Sequence, residues 1–243
     1  SPPSAPTFVF CGPAHLAAIG LTLVVPLVLV LAVRWARRPR LTTVVGWALA
    51  GLLLVNELVY WAWFLATRGA AEFIRHGLPL HLCGAGVFVS AAALMTRRQW
   101  LYELMWFWGM AGTVQAILTP GLDAGFPQYR FIQYFLTHDA IVAAALFATI
   151  GLGMRPRRAS VMRTYWISIG FAVIVAVLNY LLGGNYMFMR HPPVGETPFF
   201  FLPWPWYLPF LAVVGLVFFW LLYLPFAIEK HLRGRRAPAT GPA

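Results

Sequence analysis

Seven long apolar runs, each nearly free of charged residues, constrain the folding of this 243-residue chain. A run of about 20 apolar residues is as long as a helix that crosses a bilayer, and none shows the alternation of a membrane β-barrel. With 60% hydrophobic and only 10% charged residues, a soluble domain and a disordered chain are both excluded. The sequence therefore predicts an all-α polytopic membrane protein with seven transmembrane helices, at 14–33, 41–66, 78–96, 100–118, 131–153, 164–182 and 207–228.

The 18 Lys and Arg residues are distributed unevenly between the connections of these helices. Fourteen follow the first, third, fifth and seventh spans, and only four lie in the other connections. The positive-inside rule then predicts an N-terminus outside and a C-terminus in the cytoplasm. The net charge of +11 therefore sets topology and meets anionic headgroups, and it does not indicate a nucleic-acid partner. We expect an extracytoplasmic segment 1–13, a transmembrane domain 14–228 and a basic cytoplasmic tail 229–243.

Polar side chains within the spans are the second informative pattern, because each is costly in hydrocarbon. At about 1.5 Å per residue, Cys83 is expected roughly 8 Å below the outer surface and His138 roughly 10 Å below it. Most other polar residues fall in the same outer layer, so we expect them to converge on one cavity. These are Asn56, Glu57, His81, Gln115, Gln133, Asp139 and Asn179. Taken singly, the four amides of this set, Asn56, Gln115, Gln133 and Asn179, are more typical of hydrogen bonds between helices.

Cys83 and His138 are the candidate catalytic pair, because an imidazole beside a thiol generates the nucleophilic thiolate. Glu57 is the better candidate to orient His138, since Asp139 is its sequence neighbour and badly placed on a regular helix. The residues alone leave Cys83 equally compatible with a plain buried side chain. They also leave open a disulfide between Cys11 and Cys83, which would remove the nucleophile.

Five stretches of the chain resemble a known family: LPLHLC (78–83), ELMWFWGMAGTVQAILTP (103–120), RFIQYFLTHD (130–139), NYLLGGNYMFMRHPP (179–193) and PWPWYL (203–208). They are similar to the YwaF-like family of bacterial integral membrane proteins, whose eukaryotic relative is transmembrane protein 164. That relative is regarded as a cysteine-centred acyltransferase that moves an acyl chain from phosphatidylcholine to a lysophospholipid. The resemblance implies the same activity here, in the bacterial cytoplasmic membrane, with Cys83 as the active cysteine and His138 as the required histidine.

The expected reaction is acyl transfer between phospholipid and lysophospholipid through a Cys83 thioester, or lipase or thioesterase activity where water is the acceptor. Its oxyanion needs hydrogen-bond donors, and its lipid phosphate suits arginine. The candidate donors are His81, Gln115, Asn179 and Asn185, and the candidate phosphate ligands are Arg130, Arg190 and His191. No nucleotide cofactor and no obligate protein partner are expected. A metal site is not expected either, because the sequence has no CxxC or HxxxH spacing.

A seven-helix ligand-binding or transport protein is the alternative, with Glu57, His138 and Asp139 as a proton or cation site. A retinal protein is excluded, because the only lysine, Lys230, lies beyond the cytoplasmic end of the seventh span. Replacement of Cys83 separates the two functions, since a transporter should mostly tolerate it.

Overall fold

The computed structural model describes residues 6–193 and 199–236, except the side chains of 234–236. Seven helical segments account for most of this part of the chain, and its only β contact is a bridge between Thr7 and Ala124. The helices are α1 (Pro13–Ala36), α2 (Pro39–Glu72), α3 (Leu82–Thr96), α4 (99–118), α5 (Tyr129–Leu146), α6 (Arg158–Leu182) and α7 (Tyr207–Arg236). The prediction of an all-α membrane protein is confirmed.

Local sequence explains several helix ends. Pro13 and Pro39 open α1 and α2, because a residue at the first helical position needs no N–H partner and proline already has helical φ. Gly183 ends α6 with φ +71°, a left-handed conformation that glycine adopts without steric cost. The sequence thus sets where these transmembrane segments start and stop.

Wider π turns occur in three of the described helices. One continues α2 at Phe73–Gly77, one continues α5 at Phe147–Gly151, and one interrupts α4 at Gly109–Thr113. A π turn changes which way the following side chains face and is frequent at functional sites. The turn in α4 ends at Thr113, whose hydroxyl donates to Cys83 Sγ.

Five of the described helical segments are long and apolar enough to cross a membrane: α1, Pro39–Gly77, Tyr129–Gly151, α6 and α7. The remaining two are α3, which has 15 residues, and α4, whose side chains 101–108 are all buried. Helix α3 packs against α2, α4 and α5, and α4 packs against α3, α5, α6 and α7, so both lie in the middle of the bundle. Helices α6 and α7 instead expose apolar side chains along most of their length, as expected of surfaces that face lipid.

Polar contacts join the basic connections at one end of the bundle, which we call the basic end. Arg155 pairs with Glu229 at 2.9 Å, Gln99 donates to the Arg155 carbonyl at 2.8 Å, and Arg97 donates to Thr43 at 2.8 Å. The segments gathered there are 34–40, 97–98, 155–163 and 230–233.

The opposite end, which we call the loop end, contains residues 6–12, 78–81, 119–128 and 183–193. The N-terminal segment is attached to it, since Phe8 N–H donates to the Asp123 carbonyl at 2.8 Å. Helix α7 continues through Arg236, so the first part of the predicted tail 229–243 is helical. Residues 1–5 and 237–243 of the two predicted terminal segments lie outside the described residues.

Candidate active site

Cys83 and His138 lie on α3 and α5, two helices that both begin at the loop end. The packing of Ile141, which lies one helical turn further from the loop end, shows where the two residues lie relative to each other along the bundle axis. A methyl group at Gly86 would lie 3.7 Å from Ile141 Cδ1, and one at Gly109 would lie 3.0 Å from Ile141 Cγ2. Helices α3, α4 and α5 therefore meet around this side chain. Since Cys83 precedes Gly86 by three residues and His138 precedes Ile141 by three, both lie about one turn closer to the loop end.

Thr113 joins the same layer from α4, which runs in the opposite direction. It follows Gly109 by four residues, and its hydroxyl donates to Cys83 Sγ at 3.8 Å. Thr113 is 1% exposed, whereas the Cys83 side chain is half-buried. Cys83 and Cys11 are both free thiols, so the disulfide left open by the sequence is not formed. Thr113 was not among the predicted site residues, although its position four residues after Gly109 places it on the same helix face.

Cys83 lies in the first turn of α3, where backbone donors have no partner within the helix. Helix α3 has His81 as its N-cap residue, and the first backward bond runs from Ala85 N–H to the His81 carbonyl at 2.9 Å. The N–H groups of the three residues between them are left for other acceptors. Close packing fixes this turn, because a methyl group at Gly84 would lie 2.9 Å from Pro79 Cα. A helix N-terminus of this kind stabilises a thiolate or an oxyanion.

His138 is held as a base by the backbone of its own helix. Its Nδ1 lies 2.6 Å from the Tyr134 carbonyl, and its ring stacks on the Tyr134 ring with centroids 4.2 Å apart. Because a carbonyl only accepts, Nδ1 carries the proton, and Nε2 of the neutral ring is free to take one. The Tyr134 hydroxyl donates to the Ala116 carbonyl at 2.9 Å and so fixes this ring as well.

The carboxylates of Glu57 and Asp139 make their hydrogen bonds to residues other than His138. Glu57, expected to orient His138, instead accepts from Trp61 Nε1 at 2.8 Å on its own helix. Asp139 accepts from the Thr22 hydroxyl at 2.7 Å and links α5 to α1. Nδ1 of His138 is already bonded to the i−4 carbonyl, so the backbone occupies the position that Glu57 was expected to take.

Cys83 and His138 share a level, but the described structure contains no hydrogen bond between them. The thiol is bonded to Thr113, and the imidazole is bonded through Nδ1 to its own helix. Catalytic hydrogen bonds are often formed only when substrate is bound, so the direct contact stays a prediction.

Two of the expected oxyanion donors instead anchor the loop after α6. Asn179 is fully buried and bonds both backbone groups of Tyr186, donating to the carbonyl at 2.9 Å and accepting from the N–H at 2.7 Å. Nδ1 of His81 accepts from Met187 N–H at 3.2 Å. The Tyr186 hydroxyl accepts from Leu78 N–H at 3.0 Å. These bonds hold the loop 183–193 against the turn that precedes Cys83. Asn179 and His81 therefore position the loop.

The other two expected donors lie at the edge of the loop end. Asn185 accepts from Arg190 N–H and donates to the His191 carbonyl, each at 2.9 Å. Gln115 donates to the Thr119 hydroxyl at 2.8 Å. None of these bonds leads to Cys83, because the amides complete local turns. Arg190 and His191, the expected phosphate ligands, are exposed.

Arg130, the third expected phosphate ligand, is held by its neighbours. Its guanidinium lies 4.8 Å from the centroid of the Tyr60 ring and donates to Gln133 at 2.6 Å. Gln133 bonds Thr137 at 3.1 Å, and Thr137 accepts from Asn56 at 2.6 Å. This chain connects α2 with α5, the role typical of amides in membrane bundles. Among the described residues no three His, Cys, Asp or Glu side chains are arranged to hold a metal ion.

Comparison with known proteins links the chain to a family. The model of the TMEM164 family matches residues 10–223. An uncharacterized protein of Treponema pallidum (strain Nichols) is 29% identical over 168 residues, which cover 66% of this chain and 67% of that protein. No solved structure matches the chain. The expected relationship to transmembrane protein 164 is confirmed, and the matching family model carries that description and not the YwaF-like one.

Proposed function

We propose that this chain, which belongs to the TMEM164 family, is a phospholipid acyltransferase that works through a thioester on Cys83. The observation that carries the proposal is the position of the thiol. It lies in the first turn of α3, accepts a hydrogen bond from Thr113, and shares its level with His138. We also propose the bacterial cytoplasmic membrane as its location, because the Treponema relative is bacterial.

The first half-reaction acylates the cysteine. Nε2 of His138 takes the thiol proton once the S–H of Cys83 turns towards the imidazole, while the Thr113 hydroxyl goes on donating to Sγ. The thiolate attacks an ester carbonyl of a phospholipid, and a C–S bond forms while the carbonyl oxygen becomes an oxyanion. Free N–H groups of the first turn of α3 and the Thr113 hydroxyl are the nearest donors to this oxyanion. Collapse breaks the ester C–O bond, and His138 returns the proton to the departing lysophospholipid.

The second half-reaction releases the cysteine. The hydroxyl of a second lysophospholipid attacks the thioester carbonyl while His138 takes its proton. The C–S bond then breaks, and the thiol is re-formed with that proton. When water attacks the thioester instead of the lysophospholipid, the product is a free fatty acid. The ratio of hydrolysis to acyl transfer therefore measures how well the site excludes water.

The position of the thiol also suits a lipid substrate. Cys83 lies in the first turn of α3, close to the loop end, and phospholipid ester groups lie just below the headgroups, so the substrate need not leave the bilayer. Arg190 and His191 are exposed at the loop end and are the accessible candidates for the lipid phosphate. Arg130 already contacts Tyr60 and Gln133, and it reaches a phosphate only by giving up one of them.

The test is acyl transfer by the purified protein in nanodiscs. Phosphatidylcholine with an isotope-labelled acyl chain is the donor, and a lysophospholipid is the acceptor. We expect labelled product from the wild type and from Cys11→Ser, which removes the exposed cysteine, and none from Cys83→Ser. Full activity of Cys83→Ser would overturn the thioester mechanism. Absence of transfer and hydrolysis in the wild type with several phospholipids would favour the ligand-binding or transport alternative.

A further inference from the structure

A groove between α6 and α7 lies at the basic end, far from Cys83. Its volume is about 650 Å³, and its lining residues are Arg158, Trp220, Tyr223, Leu224, Ala227, Lys230 and His231. A second cavity of about 530 Å³ adjoins it and shares Arg158, Tyr223 and Lys230. We call the two together the α6–α7 groove.

The groove is apolar along its length and cationic at one end. Trp220, Leu224 and Ala227 follow each other at intervals of four and three residues, so they form a single stripe on α7. Lys230 continues the stripe one turn later, and Arg158 faces it from the first residue of α6. An apolar stripe that ends in two cations matches the layout of a phospholipid, with its acyl chains below an anionic phosphate.

The basic side chains of the groove outnumber its acidic ones, so part of its positive charge is not neutralised. Five basic side chains line the adjoining cavity, against a single carboxylate, Glu229. Glu229 pairs with Arg155 at 2.9 Å and also with Arg233. Arg158 and Lys230 have no carboxylate partner among the described residues. These two charges are therefore available to a phosphate, and arginine suits phosphate oxygens in particular.

We propose that the α6–α7 groove is a binding site for one anionic phospholipid of the leaflet at the basic end. Its phosphate is held between Arg158 and Lys230, and an acyl chain lies along the stripe formed by Trp220, Leu224 and Ala227. A zwitterionic phospholipid binds more weakly, because its own headgroup cation faces the same two basic side chains. Since Arg158 belongs to α6 and Lys230 to α7, the bound lipid joins the two helices at this end.

The first experiment compares lipids by native mass spectrometry of the full chain in detergent. Phosphatidylglycerol and phosphatidylcholine with identical acyl chains are titrated against the wild type, Arg158→Gln/Lys230→Gln and Arg37→Gln/Arg40→Gln. The last variant removes two charges at the same end but outside the groove. We expect phosphatidylglycerol to bind the wild type more tightly than phosphatidylcholine. We expect the groove variant to lose about 30-fold in affinity and the control to lose less than about threefold.

A second variant tests the apolar part without changing charge. Ala227→Trp fills the stripe, whereas Ile228→Trp adds the same bulk at a neighbouring position that is 51% exposed and outside the groove. We expect only Ala227→Trp to weaken phosphatidylglycerol binding. If Arg158→Gln/Lys230→Gln does not fold, the two tryptophan variants still test the proposal. If Ala227→Trp does not fold, the charge variant tests it.

Three outcomes would overturn the proposal. Equal weakening in the Arg37/Arg40 control would mean diffuse attraction to the whole basic end. Equal affinity for the two lipids would mean that the groove does not select an anion. Displacement of the lipid by glycerol phosphate at similar concentration would identify a free phosphate as the occupant. None of these measurements depends on acyl transfer, so the site stands or falls separately from the proposed function.

Discussion

The hydrogen bond between Thr113 and Cys83 gives the sharpest test of the candidate site. Thr113→Val keeps the volume and β-branched shape of the side chain while removing the donor to Sγ, which lies 3.8 Å away. Since Thr113 is 1% exposed, water cannot easily replace the lost donor. Hydrogen bonds to charged groups contribute about 1.5 to 3 kcal/mol, so formation of the buried thiolate should slow by roughly 10- to 100-fold.

The assay is the single-turnover rate at which phosphatidylcholine acylates Cys83 in nanodiscs, followed by mass spectrometry of the quenched protein. Thr113→Ser keeps the hydroxyl and should retain most of the rate. Thr149→Val is the matched control, because it makes the same change at a buried threonine that bonds Tyr102 at the basic end. If Thr113→Val acylates as fast as Thr149→Val with an unchanged melting temperature, Thr113 plays no part in forming the thiolate.

Three further predictions concern the surroundings of the site. Asn179→Ala leaves the buried N–H and carbonyl of Tyr186 without partners, so we expect the free energy of unfolding to fall by about 3 kcal/mol. Denaturant titration in detergent measures this loss, and an unchanged midpoint would contradict the anchoring role of Asn179. Gly109→Ala places a methyl group 3.0 Å from Ile141 Cγ2, so it should destabilise the protein by roughly 1 to 3 kcal/mol and lower the melting temperature by several degrees. Ile141→Leu, which lacks the Cγ2 methyl group, should restore part of that loss. Glu57→Gln should keep the acylation rate within about threefold, because its carboxylate bonds its own helix and not the base; a hundredfold loss would return Glu57 to the triad.

Part of the site could be predicted from position along the chain. Cys83 and His138 were expected at similar depth on helices that begin at 78 and 131, whereas α3 begins at Leu82 and α5 at Tyr129. Their common level follows instead from the contacts of Ile141 with Gly86 and Gly109. The charge pattern likewise predicted which connections share an end, since membrane topology depends on Lys and Arg alone.

The orienting partner of His138 could not be predicted in the same way. A carboxylate was expected, but the partner is the carbonyl of Tyr134, a backbone group that every residue possesses. Thr113 was missed because the polar residues considered within the spans were acids, amides, histidines and a cysteine, and threonines were left out. Asn179 was expected in the cavity and is bonded to Tyr186, because the path of the 183–193 loop is a property of tertiary packing.

The central claim is that Cys83 becomes acylated, and mass spectrometry of the protein after incubation with phosphatidylcholine tests it most directly. The account predicts an acyl adduct on the peptide that contains Cys83, its removal by hydroxylamine, and its absence in His138→Ala. Cys11 serves as the internal control, since it is an exposed free thiol and should stay unmodified. An unmodified Cys83 in a protein that nevertheless transfers acyl chains would contradict the thioester and with it the assigned roles of both residues.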